Sequence, residues 1–461
     1  MTFSIIQKSQ LEGALRLDAE YYQPEYLEVT EKLNRVKTTV LGNFCRIADG
    51  DHSALPGFVE SDGIRYLRAK DLENFFINNS DSVFISNSYF KKIKRSHIKP
   101  FDIVLSIMGT VGNLAIILPQ NGTITANRAV AIISPKSQDL FSSFFVATYL
   151  ESKFGVKQRE RESMGGVQQR VNLDDLTNLK IPLVAKNLQN EVDKVFQEAI
   201  LQREATERFY SQAENLLLEK LGLKEFKKEL EEKSELCWTV NYSDVKEANR
   251  IDAEYFQPKY QKLISKLKSQ NAEPLLEVLE NMAAKFDAAK QPDTTFNYIE
   301  LADVDSSIGI ISGSSEVLGK GAPSRAKRVL KKGDVIVSSI QGSLQKAALI
   351  DKTQDGFLAS TGFFQFRSKT ILPEVLLVLA KSFIFQMQLE KQCAGTILTA
   401  VPHESLKNIA VPILPLETQQ KIADLVKQSH LARQKSKELL EEAKRKVEKM
   451  IEGKNEIASK E

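Results

Sequence analysis

Short apolar runs separated by Gly, Pro and Asn turns fill the first part of the chain, and a long amphipathic helical pattern follows them. IVLSI, AIIL and VAIIS (residues 103–107, 115–118 and 130–134) read as strands, and stretches around Phe144 to Phe154 read as helix. VIVSSI, AALI and FFQF (335–340, 347–350 and 363–366) repeat the strand pattern, with a helix over Pro373 to Gln392. Val192, Val195, Ala199, Gln202, Thr206, Phe209, Ala213 and Leu216 then recur at spacings of three and four. So do Ile422, Leu425, Ser429, Ala432, Ser436, Leu439, Ala443, Lys446 and Met450. That is heptad spacing, which predicts two long helices pairing along a narrow seam. A second apolar line runs beside it through Phe196, Ile200, Tyr210, Leu217 and Leu221, and through Val426, Leu440, Val447 and Ile451. Each helix packing only on its own domain is the plainer alternative.

The two halves are copies. RLDAEYYQPEY (16–26) returns as RIDAEYFQPKY (250–260), with eight of eleven positions identical. GIRYLRAKDL is answered by TFNYIELADV, IKPFDIVLSIMG by LKKGDVIVSSIQG, and LDDLTNLKIPL by HESLKNIAVPI. The offset drifts only from 234 to 230 residues, so the chain is a duplicated unit rather than a solenoid. The expected fold is a duplicated α/β (α+β) design. Two globular domains, 1–187 and 227–415, are separated by two long antiparallel coiled-coil helices, 188–226 and 416–453, about a pseudo-two-fold axis, with a tail at 454–461. Helices of about 34 residues are about 50 Å long at 1.5 Å per residue, which predicts a dumbbell with a head at each end.

Composition narrows the function. The 461 residues are 42% hydrophobic, enough for real cores, and contain no run long enough to span a membrane. The opening MTFSIIQKSQLEG lacks the pattern of a secretory signal. Cys45, Cys237 and Cys393 are odd in number and far apart, as suits a reducing cytoplasm, and no CxxC pair or histidine spacing suggests a metal. No GxGxxG follows a strand, and GSSEVLGKG (313–321) has one residue too many, and no Ser/Thr, for a phosphate loop. Glu231-Glu232-Lys233, resembling the end of a nuclease motif, lies in a charged helical stretch that reads as a solvated face. The chain is therefore expected to hold no catalytic residue, metal or cofactor of its own.

With 63 basic and 60 acidic residues, net charge does not point to nucleic acid, so local patches must. Lys91, Lys92, Lys94 and Arg95 in unit one, and Lys320, Arg325, Lys327 and Arg328 in unit two, cluster just before matching strands. They read either as solvated turns or as a rim contacting DNA phosphates. Asp51, His52 and Ser53 in ADGDHSALPG and Gln168, Gln169 and Arg170 in ESMGGVQQR lie on polar loops suited to base edges, Thr396 lies on the corresponding unit-two loop CAGTILTAVPH, and Arg128 in TANRAVAIISP is a further candidate DNA contact. These loops differ strongly between the units while the framework is kept, which suggests two different target sequences. The helix interface is expected at Val192, Val195, Ala199, Phe209, Leu216, Ile422, Leu425, Leu439 and Ala443.

The duplicated RxDAEYxQPxY openings, the DGDHSALPGF loop, the strands DIVLSIMG and DVIVSSIQG, TANRAVAIISP, and the junctions LDDLTNLKIPL and ESLKNIAVPILPLETQQKIADLV resemble the specificity (S) subunit of type I restriction–modification systems. The resemblance covers nearly the whole chain, and the duplicated order of motifs is its most specific part. It implies target-recognition domains on double-stranded DNA, with a bipartite gapped site. It also implies docking of two modification (methyltransferase) subunits carrying S-adenosylmethionine, and of restriction subunits carrying ATP and magnesium. One departure is VAKNLQNEV at 184–192, where unit two has the fuller PLETQQ, leaving the start of the first long helix open. The specificity subunit of a type II system with a fused methyltransferase–nuclease partner fits the same motifs, and a coiled-coil adaptor with two protein-binding heads is the alternative from another class.

Overall fold

The computed structural model describes residues 3–453 apart from 10, 12–15, 54–56, 60–62, 80, 81, 138, 164–168, 227, 228, 230–236 and 396–398. The chain forms two compact units, one of Met1–Leu201 with Lys435–Glu461 and one of Gln202–Gln434. Each unit contains one mixed domain together with part of each long helix, α1 (Lys186–Lys220) and α2 (Leu416–Ile451).

In unit one, strands β1 (Cys45–Asp49), β2 (Ile103–Ser106), β3 (Leu114–Ile116) and β4 (Val130–Pro135) form an antiparallel sheet in the order β3-β2-β4-β1. The central strands are apolar on both faces because both faces are covered. Ile103, Leu105, Ala131 and Ile133 point into a core shared with the long helices, whereas Val104, Val130 and Ile132 point into a core shared with a second sheet. The period of two in the pleat sends alternate side chains to the two layers. Unit two repeats the plan with β5 (Leu279–Asn281), β6 (Val335–Ser338), β7 (Ala347–Leu349) and β8 (Phe363–Ser368), ordered β7-β6-β8-β5. Val335, Val337, Phe364 and Phe366 face the helix layer, and Ile336, Ala348 and Phe363 face the second sheet. Each second sheet has one parallel pairing, Ile64–Leu67 with Ile124–Ala126 and Thr295–Ile299 with Leu358–Ser360.

The single helical segments expected after β4 and β8 are each two helices. They break at Ser152, between Ser143–Glu151 and Lys153–Glu162, and at Ser382, between Pro373–Lys381 and Phe383–Gln392. Each serine hydroxyl donates to a carbonyl three residues back, Tyr149 or Leu379, so the chain turns without leaving that group unpaired. The duplication extends to side-chain hydrogen bonds. Gln158 brackets Lys180 with one bond to its N–H and one to its C=O, and Gln388 does the same to Ala410.

The departure at 184–192 is resolved by Gln189. Its amide donates to the Leu140 and Val184 carbonyls, as Gln419 donates to Leu414, so α1 starts from the same anchor as α2. Within unit one the two helices run antiparallel: Ser436 donates its hydroxyl to the Ala199 carbonyl at 2.7 Å, while Lys446 lies 3.8 Å from Glu191. Within unit two, Ser429 donates to Thr206 at 2.8 Å. Small residues at these positions let the backbones approach this closely.

The seam differs from the expected stripe. Val192, Ala199, Ile422 and Ala443 are fully buried, but Val195, Phe209, Leu216, Leu425 and Leu439 are only partly so. Their neighbours Phe196, Tyr210, Leu217, Val426 and Leu440 are the buried ones. A heptad stripe supposes that a helix has one neighbour. Here each helix also leans on a domain, and the buried face turns toward it.

Among the described residues, Cys45 and Cys393 are buried free thiols and Cys237 is an exposed one. No helix among them is long and apolar enough to cross a membrane.

Candidate nucleic-acid interface

One end of the β3-β2-β4-β1 sheet gathers most of the unit-one candidates. β1 ends there at Asp49, β2 ends at Ser106 and β4 begins at Val130, because Asp49 pairs with Ala131 and Ser106 with Val130. Beyond the strands three loops lie side by side: Ile107 N–H donates to the Ala129 carbonyl, and Val171 N–H donates to the Ile107 carbonyl. This places Arg128 and Arg170, both exposed, on neighbouring loops of one rim, with exposed Gln169 next in sequence to Arg170.

The loop after β1 is held from within. Gly50 donates to the Val130 carbonyl, and a Cβ there would stand 2.2 Å from the Asn127 carbonyl oxygen, so only glycine fits. Asp51 is buried, and its carboxylate is saturated. Tyr89 donates to it at 2.6 Å, Ser53 donates through both its hydroxyl and its N–H, and Tyr66 donates at 3.5 Å. Burial alone would raise the Asp51 pKa, but these hydrogen bonds outweigh it and hold the carboxyl below its ordinary value. Asp51 therefore organises the loop, and its carboxylate is taken up by internal hydrogen bonds rather than left open to accept from a base edge. The Arg128 N–H donates to the Asp51 carbonyl, joining the two loops.

The basic segment arrives from the side. Lys91 and Lys92 close the short helix Asn87–Lys92, Lys94 and Arg95 follow, and all four side chains are exposed. Asp49 ties them to the rim, since both Arg95 (2.6 Å) and the His52 ring bind its carboxylate. The result is a cleft of about 270 Å³ lined by Gly50, Asp51, His52 and the stretch Lys92 to Ser96. The loop and the basic cluster, separate in sequence, form one surface. Asp49, Tyr66 and Tyr89 were missed by sequence reasoning. The only signal for them was an Asp-Gly-Asp at the end of a strand.

Unit two repeats the rim. Ser339 N–H donates to Gly362, and Val401 N–H donates to Ser339. Arg325 and Lys327 are exposed, and the Arg325 carbonyl accepts from Thr361 N–H. Arg328 corrects the expectation of a phosphate-facing cation. It is 6% exposed, it donates to the Met282 carbonyl at 2.6 Å, and burial lowers its pKa. The strand Ala326–Val329 alternates in burial, and the inward position falls on Arg328. Lys320 stands apart, exposed beside Asp293 at 3.8 Å, with no contact among the described residues tying it to the rim. Gln168 and Thr396 lie outside the described residues. No group of His, Cys, Asp and Glu among the described residues is arranged to hold a metal.

The family described as "Type I restriction modification DNA specificity domain" matches twice, over residues 36–208 and 275–445, well over half the chain. The chain belongs to that family. Each match covers one specificity domain together with most of the long helix that follows it. Among curated relatives, the HindI specificity subunit of Haemophilus influenzae is 29% identical over 156 residues, which is 32% of this chain and 33% of that protein. The EcoBI specificity subunit of Escherichia coli is 26% identical over 178 residues, 38% of this chain and 37% of that protein. This specificity chain thus spans about a third of the length of the curated relatives it matches. The solved S subunit of a type I system from M. genitalium aligns with 90% of this chain and 96% of its own, at 13% identity and a TM-score of 0.40.

Proposed function

We propose that this chain is the sequence-reading subunit of a type I restriction–modification complex, acting in the cytoplasm. Each unit reads one short half-site of double-stranded DNA through the loops at its sheet rim, and the two unequal half-sites are separated by a non-specific gap. The chain contributes no catalytic residue. It positions two modification subunits, which bring S-adenosylmethionine, and the restriction subunits recruited to them bring ATP and magnesium. The observation that carries this reading is the tandem match to a DNA specificity domain, one copy in each half of the chain.

The rim chemistry supports it. Lys and Arg neutralise phosphate charge, and Gln and Arg on the same rim can pair with base edges. In this reading Lys91, Lys92, Lys94, Arg95, Arg128, Arg325 and Lys327 face phosphates, while His52, Ser53, Gln169 and Arg170 face base edges. Methylome sequencing of a host expressing this chain with its modification subunit tests the proposal. A single gapped, asymmetric motif that disappears when the chain is deleted is expected, and a continuous motif would overturn the two-headed reading. Exchanging residues 40–180 for those of another specificity chain should alter one half-site and leave the other unchanged.

A further inference from the structure

The two most closely matching segments of the repeat lie outside the matched specificity domains. The matches begin at 36 and 275, after RLDAEYYQPEY and RIDAEYFQPKY have ended at Tyr26 and Tyr260. Part of their identity has an internal cause. Arg16 makes two bonds to Asp18 and covers the Tyr21 ring at 4.4 Å, and Arg250 does the same with Asp252 and Tyr255 at 4.5 Å. A second cation, from the end of the adjoining domain helix, also covers each ring, Arg161 at 4.0 Å and Lys391 at 4.7 Å. Pro24 and Pro258 occupy first helical positions, where the missing N–H has no cost.

Three positions that are exposed in both copies have no such cause. Leu17 is 86% exposed and Ile251 is 89% exposed. Ala19 and Ala253 are exposed, as are Glu20 and Glu254. Among the described residues neither glutamate has an ion-pair partner. Exposed positions drift soonest between duplicated copies, as the rim loops here have done. An aliphatic, an alanine and a glutamate kept together at the surface of both copies therefore point to something outside the chain. An unpaired carboxylate beside the apolar side chain would repel phosphate and so argues against DNA. It complements a cation on a protein.

We infer that Leu17–Ala19–Glu20 and Ile251–Ala253–Glu254 are two copies of one docking patch, each seated in the same apolar socket, rimmed by Lys or Arg, on a protein that binds this chain twice. This rests on the scaffold function proposed above, and the modification subunit is the partner it commits to. The test is co-expression of the full chain with the modification subunit encoded beside it, with the complex counted by native mass spectrometry. The wild-type chain should hold two modification subunits, Leu17→Asp or Ile251→Asp alone one, and the double variant none, with the thermal midpoint of the free chain unchanged. Glu20→Arg combined with Glu254→Arg repeats the test without touching the apolar residues and should weaken assembly at least tenfold. Double variants that still hold two subunits overturn the patch alone. A wild-type chain that gathers no modification subunit overturns the scaffold reading, and the patch with it.

Discussion

The two units fasten an equivalent hairpin to the long helices with different side chains, aromatic in one and largely polar in the other. In unit one the hairpin Leu72–Glu73 and Phe76–Ile77 carries Phe75 at its turn, 3% exposed at a positive φ of 71°. Phe75 meets Phe196 of α1 edge-on at 5.1 Å, and Phe144 stacks on the same ring at 5.1 Å. In unit two the hairpin Val304–Asp305 and Ile310–Ile311 buries Ile308 in the core shared with the long helices and is held by polar groups as well. Asp305 pairs with Arg433 at 3.6 Å, Lys381 donates to the Ser306 carbonyl, and the His430 ring donates to the Ile308 carbonyl at 3.0 Å. Burial lowers the His430 pKa, consistent with a neutral ring donating one N–H. The helix residues behind the hairpins have exchanged size. Unit one buries Phe196 with Leu440, and unit two buries Val426 with Tyr210, at positions 230 residues apart. The aromatic contacts of the first anchor involve no titratable group, whereas Asp305, Lys381, His430 and Arg433 take part in the second.

That contrast can be broken most strongly at the apolar positions. Val426→Glu or Phe196→Ala should each destabilise the chain by about 3–5 kcal/mol in denaturant unfolding, through a buried charge and a cavity respectively. Leu425→Glu should cost at most about 1–2 kcal/mol, because that side chain is half out of the seam. Equal costs at 425 and 426 would restore the heptad stripe.

Lys381 gives the pH arm. Burial lowers its pKa to about 8 from 10.5. Below pH 8 both states are protonated, and the folded state bears the full cost of a buried charge. Between pH 8 and 10.5 the unfolded state holds the extra proton, so wild-type stability rises relative to Lys381→Met, by no more than about 3 kcal/mol. A difference that stays flat over this range would mean the ammonium is solvated. Phe196→Ala should show no such slope.

Tyr210 is a smaller test. Its hydroxyl is buried without a hydrogen-bond partner, so Tyr210→Phe should stabilise unit two by about 1 kcal/mol, read as a higher denaturant midpoint. A loss of stability would reveal an ordered water there. The smallest effect concerns the rims. Neutralising Lys91, Lys92, Lys94 and Arg95 together should weaken DNA binding of the assembled complex at all sequences, and lower the log–log salt slope by about 0.9 per lost phosphate contact. An unchanged slope would make this cluster a solvated turn.

The duplication and the central strands were legible in the sequence, because IVLS, VAII and VIVS are buried on both faces and read as unbroken apolar runs. The breaks at Ser152 and Ser382 were not, since the apolar pattern continues across them and only the hydroxyl caps mark the turn. The seam was legible to within one residue. Phe196 and Tyr210 stood in the second apolar line, but nothing local shows that a domain will press from that side. At the rim, the basic clusters announced themselves. Their sorting into exposed Lys327 and buried Arg328 depends on strand register, and the role of Asp51 depends on Tyr66 and Tyr89, which only tertiary structure brings to it.

The cysteines make the protein a ready substrate for single-site labelling. Burial pushes the Cys45 thiol up to about 12 and the Cys393 thiol up to about 11, so neither offers thiolate at neutral pH and neither is reachable. Cys237 alone is exposed. A maleimide dye added to the unaltered chain will therefore land at one place, just ahead of the second RxDAEY segment, and report on any partner that covers it.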